Sequence, residues 1–392
     1  MDILLWLLLP VAAATGWWSG HRQTRRQGGE KKGHPEGGYI KGLNFLLNEQ
    51  PDKALDLFID LLEVDDETID THLLLGGLFR KRGEVERAIR IHQNLIARPY
   101  LRGQDRATAM LELGKDYMHA GLLDRAEGLY KEILETGYYK IEAGRQLQRI
   151  YEQEKDWKAA IEYSSLVDAK GDSGRAAVRA HYWCELAEKA LAQGRDRAAY
   201  AHAKQALATD PNSVRASLLL GDLAVHNGNL KEAEKNYLRI LRQDEKFLPE
   251  ALPKLDGIYR QTGQWRTYKK ILGKMRDENN KIELLIHYAR SMVESGAAEE
   301  AREFLLRALE DHKDSLYLLR DYLRLEQSKI APGANKTPDI VLQMIDSYLT
   351  RSPTFCCENC GFGSKNLYWQ CPGCHQWGMV KPARDHSFKR SK

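Results

Sequence analysis

The chain has 392 residues, enough for two or three domains, and its 59 Lys and Arg against 55 Asp and Glu leave a net charge of only +4. So small an excess over that length excludes the broad electropositive footprint of a nucleic-acid-binding protein, and no nucleic acid is expected as a partner. Six cysteines, four of them in two C-x-x-C pairs, suit a reducing compartment and a metal site better than a disulfide framework.

Residues 3–20 carry no charge and read ILLWLLLPVAAATGWWSG. As a helix they would span about 27 Å, close to the ~30 Å hydrocarbon core of a bilayer. A signal peptide would need basic residues before the apolar run. Only Asp2 stands there, although Ala12, Ala13 and Ala14 offer small residues for cleavage. A membrane anchor fits better. Trp17 and Trp18 close the run as an interfacial belt, and Arg22, Arg25, Arg26, Lys31 and Lys32 follow on the side that the positive-inside rule keeps cytoplasmic. Residues 1–20 are therefore expected to span a membrane with the N-terminus outside. Residues 21–38, rich in Gly, Gln and charge, are expected to form a flexible basic linker.

From residue 39 to 327 a pattern recurs. A small residue is followed three later by an aromatic or apolar one and twelve later by another small one. The sets are Gly42, Phe45 and Ala54; Gly76, Phe79 and Ala88; Gly114, Tyr117 and Ala126; Gln148, Tyr151 and Ala160; Ala187, Ala190 and Ala199; Gly221, Ala224 and Ala233; the degenerate Asp256, Tyr259 and Tyr268; and Ala289, Met292 and Ala301. Steps of 34, 38, 34, 39, 34, 35 and 33 residues between first members are the tetratricopeptide period. An ordinary helical bundle would show no fixed period. Seven residues after the first member, Gly83, Gly121, Gly194, Gly228, Gly263 and Gly296 mark the turn between two helices. The expected fold is all-α: about eight stacked hairpins in a superhelical solenoid whose concave groove binds protein segments.

Residues 328–352 read as a break containing Pro332 and Gly333, then a connecting helix starting at Thr337 and Pro338. Residues 353–392 hold Cys357, Cys360, Cys371 and Cys374, with ten residues between the two pairs. Such spacing reads as a tetrathiolate site for one iron or zinc ion, in a rubredoxin-like or zinc-ribbon module too small to fold on its own core. Neighbours in an extended segment point to opposite faces, which sets Cys356 outside the site. Phe362, Leu367, Tyr368, Trp369 and Trp377 are expected to form a small apolar cluster in the module. His375 follows Cys374 directly, but four thiolates already complete a metal shell. Cys184, alone in a helical stretch, reads as a small buried residue.

No catalytic constellation is present: the chain has no P-loop, no G-x-S-x-G and no H-E-x-x-H. His72, His92 and His119 lie inside repeat helices. The pairs Asp65–Asp66 and Glu299–Glu300 fall at turns or helix starts, where carboxylates cap and solvate. Two functions remain: a non-enzymatic adaptor, or a membrane-tethered rubredoxin-like electron carrier. Iron and zinc both accept four sulfurs in a tetrahedron, so spacing does not choose between them.

The apolar N-terminal run, the repeats and LYWQCPGC at residues 367–374 together resemble the lipopolysaccharide assembly protein B family of Gram-negative bacteria, over the whole chain. The resemblance implies a single-pass protein of the bacterial inner membrane, its N-terminus periplasmic and its bulk cytoplasmic. It implies an adaptor that restrains lipopolysaccharide synthesis by helping the membrane protease FtsH degrade the LpxC deacetylase, and that scaffolds lipopolysaccharide assembly proteins. It also implies contact with an inner-membrane lipopolysaccharide regulator through the membrane region. The family's metal ligands fall on Cys357, Cys360, Cys371 and Cys374.

Overall fold

The computed structural model describes residues 69–383 apart from 100, 168–172, 279 and 328–336, together with scattered positions between 40 and 57. The expected anchor, the basic linker and Asp65–Asp66 lie outside the described residues. Among the described residues no helix is long and apolar enough to cross a membrane.

Among the described residues seven helical hairpins follow one another. Those up to Tyr139 belong to one compact unit and those from Lys140 to another. The first contains α1 (Ile69–Lys81), α2 (Val85–Ile96), α3 (Gly103–His119) and α4 (Leu123–Thr136). The second begins with α5 (Lys140–Glu154), α6 (Trp157–Val167), α7 (Ser173–Ala192), α8 (Asp196–Thr209), α9 (Val214–His226) and α10 (Leu230–Gln243). A 3₁₀ turn at Glu245–Phe247 leads to α11 (Leu248–Thr262), α12 (Trp265–Glu278), α13 (Ile282–Glu294) and α14 (Ala298–Asp311). Two further helices, α15 (Leu316–Gln327) and α16 (Thr337–Arg351), precede three short strands, β1 (Phe355–Cys357), β2 (Gly363–Ser364) and β3 (Val380–Pro382).

One local device makes every hairpin turn. The glycines at positions 83, 121, 194, 228, 263 and 296 all have left-handed φ, between +67° and +84°. In each case the next N–H returns to the carbonyl five residues earlier, from Glu84 to Phe79, Leu122 to Tyr117, Arg195 to Ala190, Asn229 to Ala224, Gln264 to Tyr259 and Ala297 to Met292. This is the Schellman closure, which satisfies a carbonyl that the helix end leaves open. The α5–α6 turn makes the same bond, Asp156 to Tyr151 at 2.9 Å, but Lys155 holds the left-handed position at φ +57°.

The recurring small residues let paired helices touch. A Cβ at Gly76 would lie 2.4 Å from the His92 ring, at Gly114 2.6 Å from Tyr130, and at Gly221 2.3 Å from Tyr237. In the α5–α6 pair, where Gln148 replaces the small residue, the close approach moves one turn earlier, to Gly144 against Val167. The small residues twelve positions on, Ala88, Ala126, Ala160, Ala199, Ala233 and Ala301, are fully buried. In the degenerate set Tyr268 takes that place and stacks on Tyr259 with centroids 4.5 Å apart. The histidines are structural. His92 is buried against Asp116, which also takes Arg80 at 2.7 Å, and His119 is exposed at the end of α3. Glu299 and Glu300 occupy the first turn of α14.

Two substitutions test this account. Lys155→Gly relieves a left-handed side chain and should stabilise the α5–α6 hairpin by about 1 kcal/mol. Gly221→Ala pushes a methyl group into Tyr237, whose hydroxyl is tied to Asp222, and should cost about 1–3 kcal/mol. Amide hydrogen exchange of α5–α6 and α9–α10 measures both as changes in local opening.

Candidate metal centre

The strands form a three-stranded antiparallel sheet in the order β2–β1–β3, with Cys356 opposite Gly363 and Lys381, and Cys357 opposite Val380. Alternation along β1 buries Phe355 and Cys357 and turns Cys356 outward, as extended backbone requires. Two equivalent knuckles present the thiols. In the first, the Cys357 N–H donates to the Phe362 carbonyl and the Gly361 N–H to the Cys357 carbonyl. In the second, the Cys371 N–H donates to Gln376 and the His375 N–H to Cys371. Gly361 and His375 hold the same left-handed place after the second cysteine, at φ +75° and +56°. His375 is thus a turn residue, and the metal-ligating cluster consists of cysteines alone.

Cys357, Cys360, Cys371 and Cys374 bring their four Sγ atoms within 4.8 Å of one another. Cys357 and Cys374 are 3.7 Å apart, and Cys360 and Cys371 3.6 Å. A tetrahedron with metal–sulfur bonds of ~2.3 Å has edges of about 3.8 Å, so the donor set fits one zinc or iron ion. The Asn359 side chain and the Gln376 backbone hydrogen-bond to Cys374 and favour its thiolate, while Cys360 beside it is pushed the other way by the neighbouring thiols. All six cysteines are free thiols; Cys184 is fully buried in α7, and burial pushes its thiol up to about 12. The apolar interior of the module is small: Phe355, Cys357, Cys371 and Val380, with Phe362, Leu367 and Cys374 packed against them.

Trp369 and Trp377 do not join that interior, contrary to the sequence expectation. Both reach out of the module onto the repeats. Trp377 lies over His181 with ring centroids 5.2 Å apart, meets Trp157 and Tyr182 edge-on at 6.0 and 5.8 Å, and donates its indole N–H to Glu152 at 3.1 Å. Trp369 stacks on Phe247 at 5.5 Å and lies beneath the Arg215 guanidinium, 5.7 Å away. Leu367 and Trp369 pack against the large apolar cluster formed by α9 to α13. Aromatic pairs and a cation over an indole each add to the apolar area they cover. Ion pairs ring the contact: Lys381 to Asp244 at 2.8 Å, and Lys246 to Glu358.

The repeat side of this seat was not legible in the sequence. Arg215, buried in an apolar helix, is held by Glu185 and Glu188 at 2.8 and 2.9 Å, and only the fold brings those carboxylates to it. His181 and Tyr182 gave one faint signal, an aromatic run at 181–183 in a helix of mostly small residues. Burial, aided by Arg215 and Lys381, pushes His181 down to about 3, so its ring is neutral beneath the two indoles. Desolvation moves Glu152 the other way, above the ordinary carboxylate value.

Comparison with known proteins adds to this geometry. Residues 355–382 match a family described as rubredoxin metal binding domain, and residues 71–107 and 190–252 match tetratricopeptide repeat families. Lipopolysaccharide assembly protein B of Escherichia coli (strain K12) is 35% identical over 384 residues, covering 97% of this chain and 98% of its own. The protein of the same name from Haemophilus influenzae is 32% identical over 389 residues, with 97% and 98% covered. Among solved structures, a crystal structure of MamA protein is 22% identical, covers 47% of this chain and 95% of its own, and has a TM-score of 0.33.

Elemental analysis of the purified chain should find one metal ion per molecule. Cys371→Ser should abolish it and Cys356→Ser should leave it unchanged, because only the former lies in the thiol cluster. The seat of the module should also weaken in acid. The folded pKa of His181 is depressed below its unfolded value near 6.5, so its contribution is present above that value and is lost as pH falls toward 3. Between pH 7 and pH 5 this removes about 2 kcal/mol. Glu152 works in the opposite direction, so the effect of His181 is isolated as the difference between wild type and His181→Gln, read by tryptophan fluorescence against urea at each pH.

Proposed function

Since the chain belongs to the lipopolysaccharide assembly protein B family, we propose that it is a membrane-tethered, non-catalytic adaptor that brings the LpxC deacetylase to the membrane protease FtsH and so limits lipopolysaccharide synthesis. Residues 1–20 serve as its single inner-membrane span, with the N-terminus periplasmic and the repeats and metal module cytoplasmic. The same span meets the inner-membrane regulator of the circuit, and the repeats gather lipopolysaccharide assembly proteins. Relatives named for lipopolysaccharide assembly support this reading over an electron carrier.

The observation that carries an adaptor role is the seating of Trp369 and Trp377 in the repeats. It makes the hairpins and the metal module one continuous surface that presents side chains to a partner. Helical hairpins of this kind stack into extended binding surfaces. A tether then raises the local concentration of client near protease without any new contact.

The test is the cellular half-life of the deacetylase with three forms of the chain at equal abundance. Full-length protein should shorten it. A form lacking residues 1–20 and a Cys371→Ser form should both leave it long. An anchorless chain as effective as the full-length one would show that tethering is not the mechanism.

A further inference from the structure

Helices α10 and α12 are the second helices of consecutive hairpins, and both feed the same apolar cluster, α10 with Ala233, Tyr237 and Ile240 and α12 with Tyr268 and Leu272. Their other faces carry an unusual match. Lys231, Lys235 and Arg239 on α10 recur 35 residues later as Arg266, Lys270 and Lys274 on α12, each row at i, i+4 and i+8. All are exposed except Arg239, which is half-buried and donates to Asn236 at 3.1 Å. Spacing of four residues places each row along one side of its helix.

Among the described residues none of the six has an ion-pair partner, and three of the four carboxylates on the same helices face other groups; the fourth, exposed Glu278, ends the α12 row four residues after Lys274. Glu234 accepts the Tyr259 hydroxyl, Glu232 faces Lys204, and Asp277 holds Arg276. The next hairpin differs. Its equivalent positions are Glu299, Glu303 and Arg307, which pair locally as Arg302 with Glu299 and Arg307 with Glu303. The next hairpin thus does not repeat the uncompensated rows, which lie on helix surfaces and not in a pocket.

We propose that these two rows form a docking face for an anionic phospholipid surface, laying the α10–α12 side of the chain against the membrane. Two rows of mostly exposed, flexible cations at matching positions of consecutive hairpins suit a flat field of headgroups, where each basic side chain adds to the attraction and none needs a fixed partner. The inference rests on the proposed tether only for bringing the chain to a membrane. Orientation is what the rows add.

The test uses the full chain reconstituted into vesicles of phosphatidylcholine, and into vesicles of phosphatidylcholine and phosphatidylglycerol in a two-to-one ratio. Amine acetylation read by mass spectrometry reports each lysine. Labelling of Lys231, Lys235, Lys270 and Lys274 should fall about fivefold in the anionic vesicles and recover in about 1 M salt, where the Debye length is about 3 Å. A Lys235→Glu/Lys270→Glu form should lose the protection at Lys231 and Lys274 while keeping the circular dichroism of the parent. Equal labelling in the two lipids would overturn the proposal. So would protection that appears only when cytosolic protein is added, which would assign the face to an acidic protein instead. Flotation with the neutral vesicles reads the tether separately, so its failure and the failure of the face are told apart.

Discussion

The seating of two indoles between helical hairpins is the contact on which the rest of the second unit depends. The metal module has a very small interior, and four thiolates around one ion must supply most of its order. That order fixes Trp369 and Trp377, and their positions cover His181, Tyr182 and Phe247. Metal binding and the surface of the repeats are therefore linked through rigid aromatic contacts, although the thiols and the repeat residues are far apart in sequence. Arg215 shows how strictly the seat is specified: its charge is kept in a buried place by two carboxylates and capped by an indole.

The repeats themselves run on local physics. A left-handed residue at the turn, one returning hydrogen bond and a small residue at the helix crossing are enough to make each hairpin. Where one element is missing the others adjust. Lys155 accepts the left-handed backbone because the Schellman bond and the packing of α5 on α6 hold it there. Gln148 is accommodated because Gly144 takes over the close approach. Such redundancy lets outer positions vary, which leaves charge on the second helices free to serve binding, as in the rows on α10 and α12.

The proposed adaptor role needs no reacting group. What it needs is a stable surface and a fixed place. The docked module enlarges the surface, and its ion pairs to Asp244 and Lys246 set its orientation on the hairpins. The proposed anchor and basic face would set the place.

The sequence by itself determined the hairpin period, the turn glycines, the buried alanines and the four-thiol site, because each depends on residues close together in the chain. A turn glycine needs only its own φ, and a C-x-x-C knuckle closes within five residues. The side assignment of Cys356 followed in the same way from alternation along one strand. Tertiary structure alone decided where Trp369 and Trp377 go. Inside a short module they read as core, yet the module's interior is filled by Phe355, Leu367 and Val380, and the indoles find larger apolar area on the repeats. Glu152, His181, Arg215 and Phe247 became one seat only when hairpins well separated in sequence stacked, and no local pattern records which distant residues that stacking will bring together.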